Sequence, residues 1–290
     1  MDFFLTCIKN KQKRMVKMTR FILLLLTALS TVWGALPGDS TRMAVHSNVY
    51  PFQPGEKLTF RLRYGFITAG SAVMEVRNTV LDDSTTALNF HTTARSSSGF
   101  DWIYKVRDEV NSYVDPHTFQ ALRFEKKLRE GNYKADVFTE YRMTRPVAQV
   151  EEVRYENNMR VRTRKKYFIR VPSDVLDILA SFYYVRMLPL QVGKKASLTN
   201  HEKKKVYDLE IIVHGRETIE VEAGTFRCIV IEPKIKGEGL FKKKGTLKIW
   251  LTDDDKKIPV QMTSKIIVGH ITSELVRIEG VEGEIPARVR

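Results

Sequence analysis

From Glu56 to Ile278 this chain alternates apolar and polar residues with a period of two, segment after segment. In E56-K-L-T-F-R-L-R-Y64, Leu58, Phe60, Leu62 and Tyr64 share one face, while Thr59, Arg61 and Arg63 share the other. Successive side chains of a strand point to opposite faces, so the pattern describes a sheet with one buried side. Ala72, Met74, Val76 and Val80 repeat it, as do Leu88, Phe90, Thr92 and Ala94. Residues 103–114 and 119–128 read as two strands about the turn D115-P-H117. Tyr133, Ala135, Val137, Thr139, Tyr141 and Met143 form a further face, and residues 147–155 and 159–170 a hairpin across E156-N-N158. Tyr207–Val213, Thr225–Ile231, Gly245–Leu251, Ile258–Val268 and Ile271–Ile278 continue the theme. About a dozen short strands with turn signals between them predict an all-β, mainly antiparallel protein: a strongly curved sheet, barrel- or sandwich-like.

One segment breaks the period. Between Pro172 and Pro189, Val175, Ile178, Leu179, Phe182 and Tyr183 recur at spacings of three and four, behind a possible Ser173 or Asp174 cap. This predicts a helix over about 174–187, apolar on most faces and therefore buried against the sheet. It lies between two β-rich halves. No Pro/Gly/Ser-rich linker separates them, so residues 50–285 are expected to form a single domain.

The N-terminus sets the compartment. Residues 9–20 are basic, residues 21–29 are apolar, and residues 30–35 are mostly small. That is the pattern of a secretory signal peptide over residues 1–35, with cleavage expected after Gly34. The apolar run is shorter than the roughly 20 residues a membrane span needs, so no transmembrane segment is expected after cleavage. Met15 and Met18 follow an unusually long n-region, so translation is expected to start at one of them, leaving residues 1–14 untranslated. Residues 36–49 read as a flexible lead-in. No cysteine follows the apolar run, so no lipid anchor is expected at the cleavage site. Export to the periplasm or outer-membrane surface excludes chemistry that consumes ATP or reduced nicotinamide.

Charge points the same way. Residues 1–35 carry six Lys+Arg and one acid, so their removal lowers the formal net charge from +14 to +9. The remaining bases are dispersed or gathered in short runs such as R162-T-R-K-K166, Lys203–Lys205 and Lys242–Lys244. Such runs are usually solvated hairpin ends. Nucleic acid is excluded as a partner by the compartment. An anionic envelope component, such as a phospholipid surface, lipopolysaccharide or an acidic polysaccharide, fits the sign.

Catalytic signatures are missing. The sequence has no G-x-S-x-G, H-E-x-x-H, C-x-x-C or P-loop pattern. Its six histidines are scattered without ligand spacing. His91, His214 and His270 fall in or beside strands and read as satisfied structural residues. D253-D-D-K-K257 could supply oxygen ligands to a hard cation, but it sits where a hairpin turn belongs. Cys228 lies in an apolar strand and reads as a core residue. No catalytic residue, metal or cofactor is therefore assigned.

Several blocks resemble an exported bacterial family designated domain of unknown function 3108. They are P54-G-E-K-L-T-F-R-L-R-Y-G-F-I-T-A-G70, S98-G-F-D-W-I-Y-K-V-R-D-E-V-N-S-Y-V-D115, E130-G-N-Y133, D177-I-L-A-S-F-Y-Y-V-R186, E222-A-G-T-F-R-C-I229 and W250-L-T-D-D-D-K-K-I-P-V260. The resemblance spans about residues 52–275 and departs from the family spelling at Ala180. It implies export and a β-rich fold, and no established activity.

A curved sheet around an apolar helix can enclose an amphiphilic or lipid-like ligand. Candidate wall residues are Phe60, Tyr64, Phe90, Tyr133, Tyr141 and Phe182. The plain alternative is that each fills the core. Trp102, Tyr104 and Asp108 mix aromatic and charged character and are candidate rim residues, with Arg107 on the opposite strand face. Arg107 is expected to pair with Glu109 or Glu75. Asp108 is expected to pin a turn or pair with Arg123. The expected role is a non-catalytic binding or structural protein of the cell envelope. An envelope hydrolase of glycan or ester bonds, or an assembly partner of an outer-membrane complex, is the alternative.

Overall fold

Alternation places Leu58, Phe60 and Leu62 of the first strand, β1 (Lys57–Tyr64), on one buried face, and every later strand of the first half adds to that face. The chain is described by a computed structural model over residues 50–289, apart from 83, 143, 237–246 and 266–268. The expected signal peptide and lead-in, residues 1–49, lie outside the described residues. After β1 come β2 (Ile67–Val80), β3 (Thr86–Ser96), a short helix α1 (Ser98–Tyr104), β4 (Arg107–Val114), β5 (Ala121–Glu130), β6 (Tyr133–Arg142), β7 (Val147–Tyr155) and β8 (Val161–Arg170). Helix α2 (Ile178–Met187) follows. The second half contains β9 (Lys195–Glu202), β10 (Lys205–Val221), β11 (Gly224–Ile235), β12 (Leu247–Thr252), β13 (Pro259–Lys265), β14 (His270–Glu279) and β15 (Arg288–Val289).

Each half is an antiparallel meander. β14 returns beside β1 and fuses them into one sheet, ordered β8-β7-β6-β5-β4-β3-β2-β1-β14-β13-β12-β11-β10-β9, with β15 added to β11. The outermost strands, β8 and β9, do not pair with each other, so the sheet curls without closing. β1 carries a register shift against each neighbour, at Thr59/Phe60 and at Leu62/Arg63. Such bulges bend and twist a strand, which helps a long sheet to curl. Gly70 permits one tight point of the curl: a Cβ there would lie 2.1 Å from the Arg95 carbonyl oxygen. The connection expected over Gly65–Gly70 is only a turn at Gly65–Phe66, and β2 already runs from Ile67.

The inner face of the curl holds α2 and most of the core. Each fully buried Leu, Ile or Phe there contributes about 1.5–3 kcal/mol. α2 starts later than expected because its cap is Asp177, whose side chain accepts from the Leu179 and Ala180 amides. Residues before it run extended, and Leu176 pairs in parallel with Asn200 of β9. Residues 98–104 form α1, where strand alternation was expected to include Trp102 and Tyr104. On the outer face, Phe226, Cys228, Val230, Trp250 and Val260 make a second cluster, packed by Ile285 from the C-terminal segment. Cys228 is a core residue there, and burial pushes its thiol pKa up to about 12.

Strand direction defines two ends. The β1–β2, β5–β6, β7–β8 and β9–β10 turns and α1 form the upper end. The β2–β3, β4–β5 and β6–β7 turns, the 253–257 turn and the C-terminus of α2 form the lower end.

Candidate binding site

Helix α2 organises the lower interior. On one flank Tyr183 stacks on Phe90 at 3.9 Å between ring centroids, and Phe52 meets Tyr183 edge-on at 5.1 Å. These rings leave no room for a ligand. On the other flank Ile178, Phe182 and Val185 face Leu209, Ile211, Ile231, Ile249 and Leu251 across an apolar slot of about 40 Å³. Ser181 is the hydroxyl in its lining, and it accepts a hydrogen bond from the Asn200 amide.

At the C-terminal end of α2 lies a larger cleft of about 490 Å³, lined in part by Tyr50, Gln53, Glu56, Arg186, Lys257 and Glu282. Its inner wall is a fully buried ion pair. Arg186 donates to both Glu56 oxygens, at 2.6 and 2.9 Å, and to the Lys256 carbonyl at 3.1 Å. Its guanidinium also faces the Phe52 and Tyr183 rings, at 5.1 and 5.4 Å. A positive charge in the last turn of a helix is favourably placed against the helix dipole. The acidic run beside the cleft is a turn, as its position predicts. Asp254 accepts from the Thr252 hydroxyl and the amides of Lys256, Lys257 and Ala287. Lys257 is half-buried in a left-handed conformation, φ +44°, and burial lowers its amine pKa against the pull of Asp255 and Asp254.

The upper interior is polar. The Ser112 hydroxyl donates to Asp177 at 2.6 Å. Burial raises the Asp177 carboxyl to about 6, even though Ser112, Ala180 and Leu179 bond its charged form. His201 Nε2 lies 2.6 Å from the Lys203 carbonyl, and Nδ1 lies 3.2 Å from the Tyr141 hydroxyl. A carbonyl can only accept, so Nε2 carries the proton and Nδ1 accepts from Tyr141. Burial lowers the His201 pKa to about 4, which keeps the ring neutral. The serine is therefore bound to a carboxylate and the histidine to a tyrosine, an arrangement that activates no nucleophile. Lys126 of β5 pairs with Glu202 of β9 at 3.0 Å. Asp108 accepts from the Arg129 amide at 2.7 Å, and burial lifts its carboxyl to about 6.

Residues 59–276 match the family model described as Protein of unknown function (DUF3108). The chain belongs to this family. No curated protein matches it. Among solved structures, a beta-barrel-like protein of domain of unknown function DUF1849 from Brucella abortus is similar, with TM-score 0.47 and 11% identity, covering 78% of this chain and 97% of that one. A protein of YmcC-like fold from Bacteroides fragilis, named as exported, gives TM-score 0.35 and 12% identity over 79% of this chain and 97% of that one. A protein from Parabacteroides distasonis, named as a lipoprotein, gives 0.34 and 13% over 79% and 97%.

In this DUF3108 chain the nine residues singled out from the sequence do not form one site. Phe60 and Phe90 are core. Phe182 is half-buried and lines the apolar slot. Tyr141 belongs to the polar network with His201. Tyr133 is half-buried under the Arg154 guanidinium, 3.6 Å above its ring, and Tyr64 is half-buried at the upper end. The three rim candidates separate because residues 98–104 are helical. Trp102 points to solvent, Tyr104 is buried with its hydroxyl on the Glu130 carbonyl, and Asp108 is buried under Arg129. The expected ion pairs also change. Arg107 pairs with Asp101 of α1 at 2.6 Å, not with Glu109 or Glu75. Arg123 pairs with Asp82 and Glu140, not with Asp108. Sequence reasoning missed the Arg186–Glu56 pair. The available signal was a lone Arg inside the apolar run Tyr183–Leu188, which demands a buried partner.

Proposed function

We propose that this protein is a non-catalytic binding protein of the cell envelope that shelters the apolar part of an amphiphile between α2 and β10–β12. The observation that supports this is the slot itself: opposed Ile, Leu, Val and Phe side chains, with its hydroxyl already bonded to Asn200. At about 40 Å³ the slot is narrower than an acyl chain needs, so to admit one the side chains on its β10–β12 wall must give way, because packed rings and the Arg186–Glu56 pair hold the other flank of α2. Export rests on the signal-peptide pattern of residues 9–35.

Native mass spectrometry of the protein purified from envelope extracts should show a bound amphiphile of defined mass. Replacing Ile211 by Trp fills the slot and should remove that adduct, with the far-UV circular dichroism of the parent. An adduct that survives this substitution places the ligand elsewhere. An apo protein that turns over an envelope glycan or ester overturns the binding role in favour of a hydrolase.

A further inference from the structure

The upper end carries a pattern that ligand binding beside α2 does not use. Phe66 at the tip of the β1–β2 hairpin is 98% exposed, and Trp102 on α1 is 80% exposed. Ile67 and Met159, at the tips of β2 and the β7–β8 hairpin, are also exposed. Large apolar side chains held fully in water on separate tips are not explained by the core, and a rigid turn at Gly65, φ +56°, presents Phe66.

The same end is basic. Lys105, Arg160, Arg162 and Lys204 are exposed around these tips. Asp101 is already paired with Arg107, which leaves Glu156 as the exposed carboxylate on the described connections of this end. The lower end is mixed: Glu222, Asp255, Glu279, Glu282 and Glu284 are exposed there, but so are Arg142, Arg145, Arg170 and Lys194. The predominance of one sign, beside exposed apolar points, is a feature of the upper end.

We infer that the upper end is a docking edge for an anionic phospholipid surface, with Phe66 and Trp102 inserted at headgroup level and the surrounding bases against lipid phosphates. Isolated apolar points ringed by bases suit an interface in which rings sit between headgroups and each base finds a phosphate. A protein partner would call for a contiguous apolar patch instead. This edge lies at the opposite end from the C-terminus of α2, and the inference does not rest on an amphiphile occupying the slot.

The test is co-sedimentation of the purified protein with vesicles of phosphatidylglycerol and phosphatidylethanolamine in equal parts, compared with vesicles of phosphatidylcholine. The protein should bind the anionic vesicles and not the neutral ones, and added salt should weaken binding. Tryptophan emission should shift to the blue on binding. Trp102→Phe should abolish most of that shift while leaving sedimentation nearly intact. Phe66→Ser should weaken binding by about tenfold, and Lys105→Glu with Arg160→Glu by about tenfold or more. Both changes fall on exposed positions, and unchanged far-UV circular dichroism confirms folding. Absence of anionic-vesicle binding overturns the inference, and so does binding that survives both sets of substitutions. Binding without a blue shift overturns insertion.

Discussion

In the lower interior Phe52, Phe90, Phe119 and Tyr183 pack around α2, and the buried charge is confined to Arg186 and Glu56. The upper interior, beyond the N-terminus of the same helix, buries Asp108, Lys126, Glu130, Asp177 and His201, with half-buried Glu202 paired to Lys126. Both halves line the concave side of a single sheet, yet they are stabilised by different physics. Ring packing depends on shape and hardly on pH. Buried polar groups depend on having partners and on their protonation state. The lower half should therefore respond steeply to truncation, and the upper half mainly to acid.

The sharpest way to break the lower half is to remove Arg186. It is fully buried and bonded to Glu56, the Lys256 carbonyl and the Pro51 carbonyl. Arg186→Ala leaves a buried carboxylate uncompensated, which costs about 3–5 kcal/mol. For a domain of this size that is a fall in Tm of about 10 °C, measurable by thermal circular dichroism. A loss of only a degree or two would mean that Glu56 is reached by water and that the cleft penetrates beneath α2.

Asp108 offers a gentler probe of the upper half. Its carboxyl accepts from the Arg129 amide, and burial raises its pKa to about 6, above the ordinary value. Ionisation at pH 7 is therefore a cost in the folded state. Asp108→Ala strands the Arg129 amide and should lose about 1–3 kcal/mol. Asp108→Asn keeps an acceptor without the charge and should be close to neutral at pH 7. Chemical denaturation at pH 7 distinguishes the pair. Equal losses for both variants would show that the negative charge itself is needed.

The contrast between the halves also explains what was legible in the sequence. Period-two alternation identifies the inner faces because burial on one side of a strand leaves a local mark, as at Leu58, Phe60 and Leu62 or Leu88 and Phe90. α2 was visible for the same reason, through its change of period. Its start was misplaced because Ser173 and Asp174 are equally good caps in sequence. Only the register of β9 against Leu176 makes Asp177 the cap and Ile178 the first helical position. The polar contacts were not legible. Arg186 and Glu56 are 130 residues apart, and Lys126 and Glu202 are 76 apart. Their pairing follows from how far the sheet curls. Locally, Arg107 and Asp108 were misassigned because S98-G-F-D-W-I-Y104 has no periodicity long enough to separate about two turns of helix from a strand.

The smallest expected effect is the most specific to the upper half. His201 is neutral, with its pKa near 4 against an ordinary 6.5, and burial is the cause. Its folded pKa is depressed, so the unfolded chain binds the extra proton as pH falls from 6.5 towards 4, and the native state loses stability over that window. Asp108 and Asp177 act in the opposite direction. Their pKa values near 6 lie above the ordinary 3.8, so the native state takes up protons first and gains stability over much the same range. The wild-type protein should therefore show a shallow dependence of stability on pH between 4 and 6, with the two effects partly cancelling. Replacing His201 by Gln removes one side of that balance. At pH 7 the variant should be less stable by about 1 kcal/mol, through the weakened contact with Tyr141. At pH 4.5 it escapes a penalty of roughly 2 kcal/mol carried by the wild type, so the order of the two unfolding free energies should invert. Urea denaturation at both pH values measures the crossing. If the gap between variant and wild type is the same at both, His201 titrates as it would in water, and the upper interior is a solvent-filled mouth rather than a buried polar core.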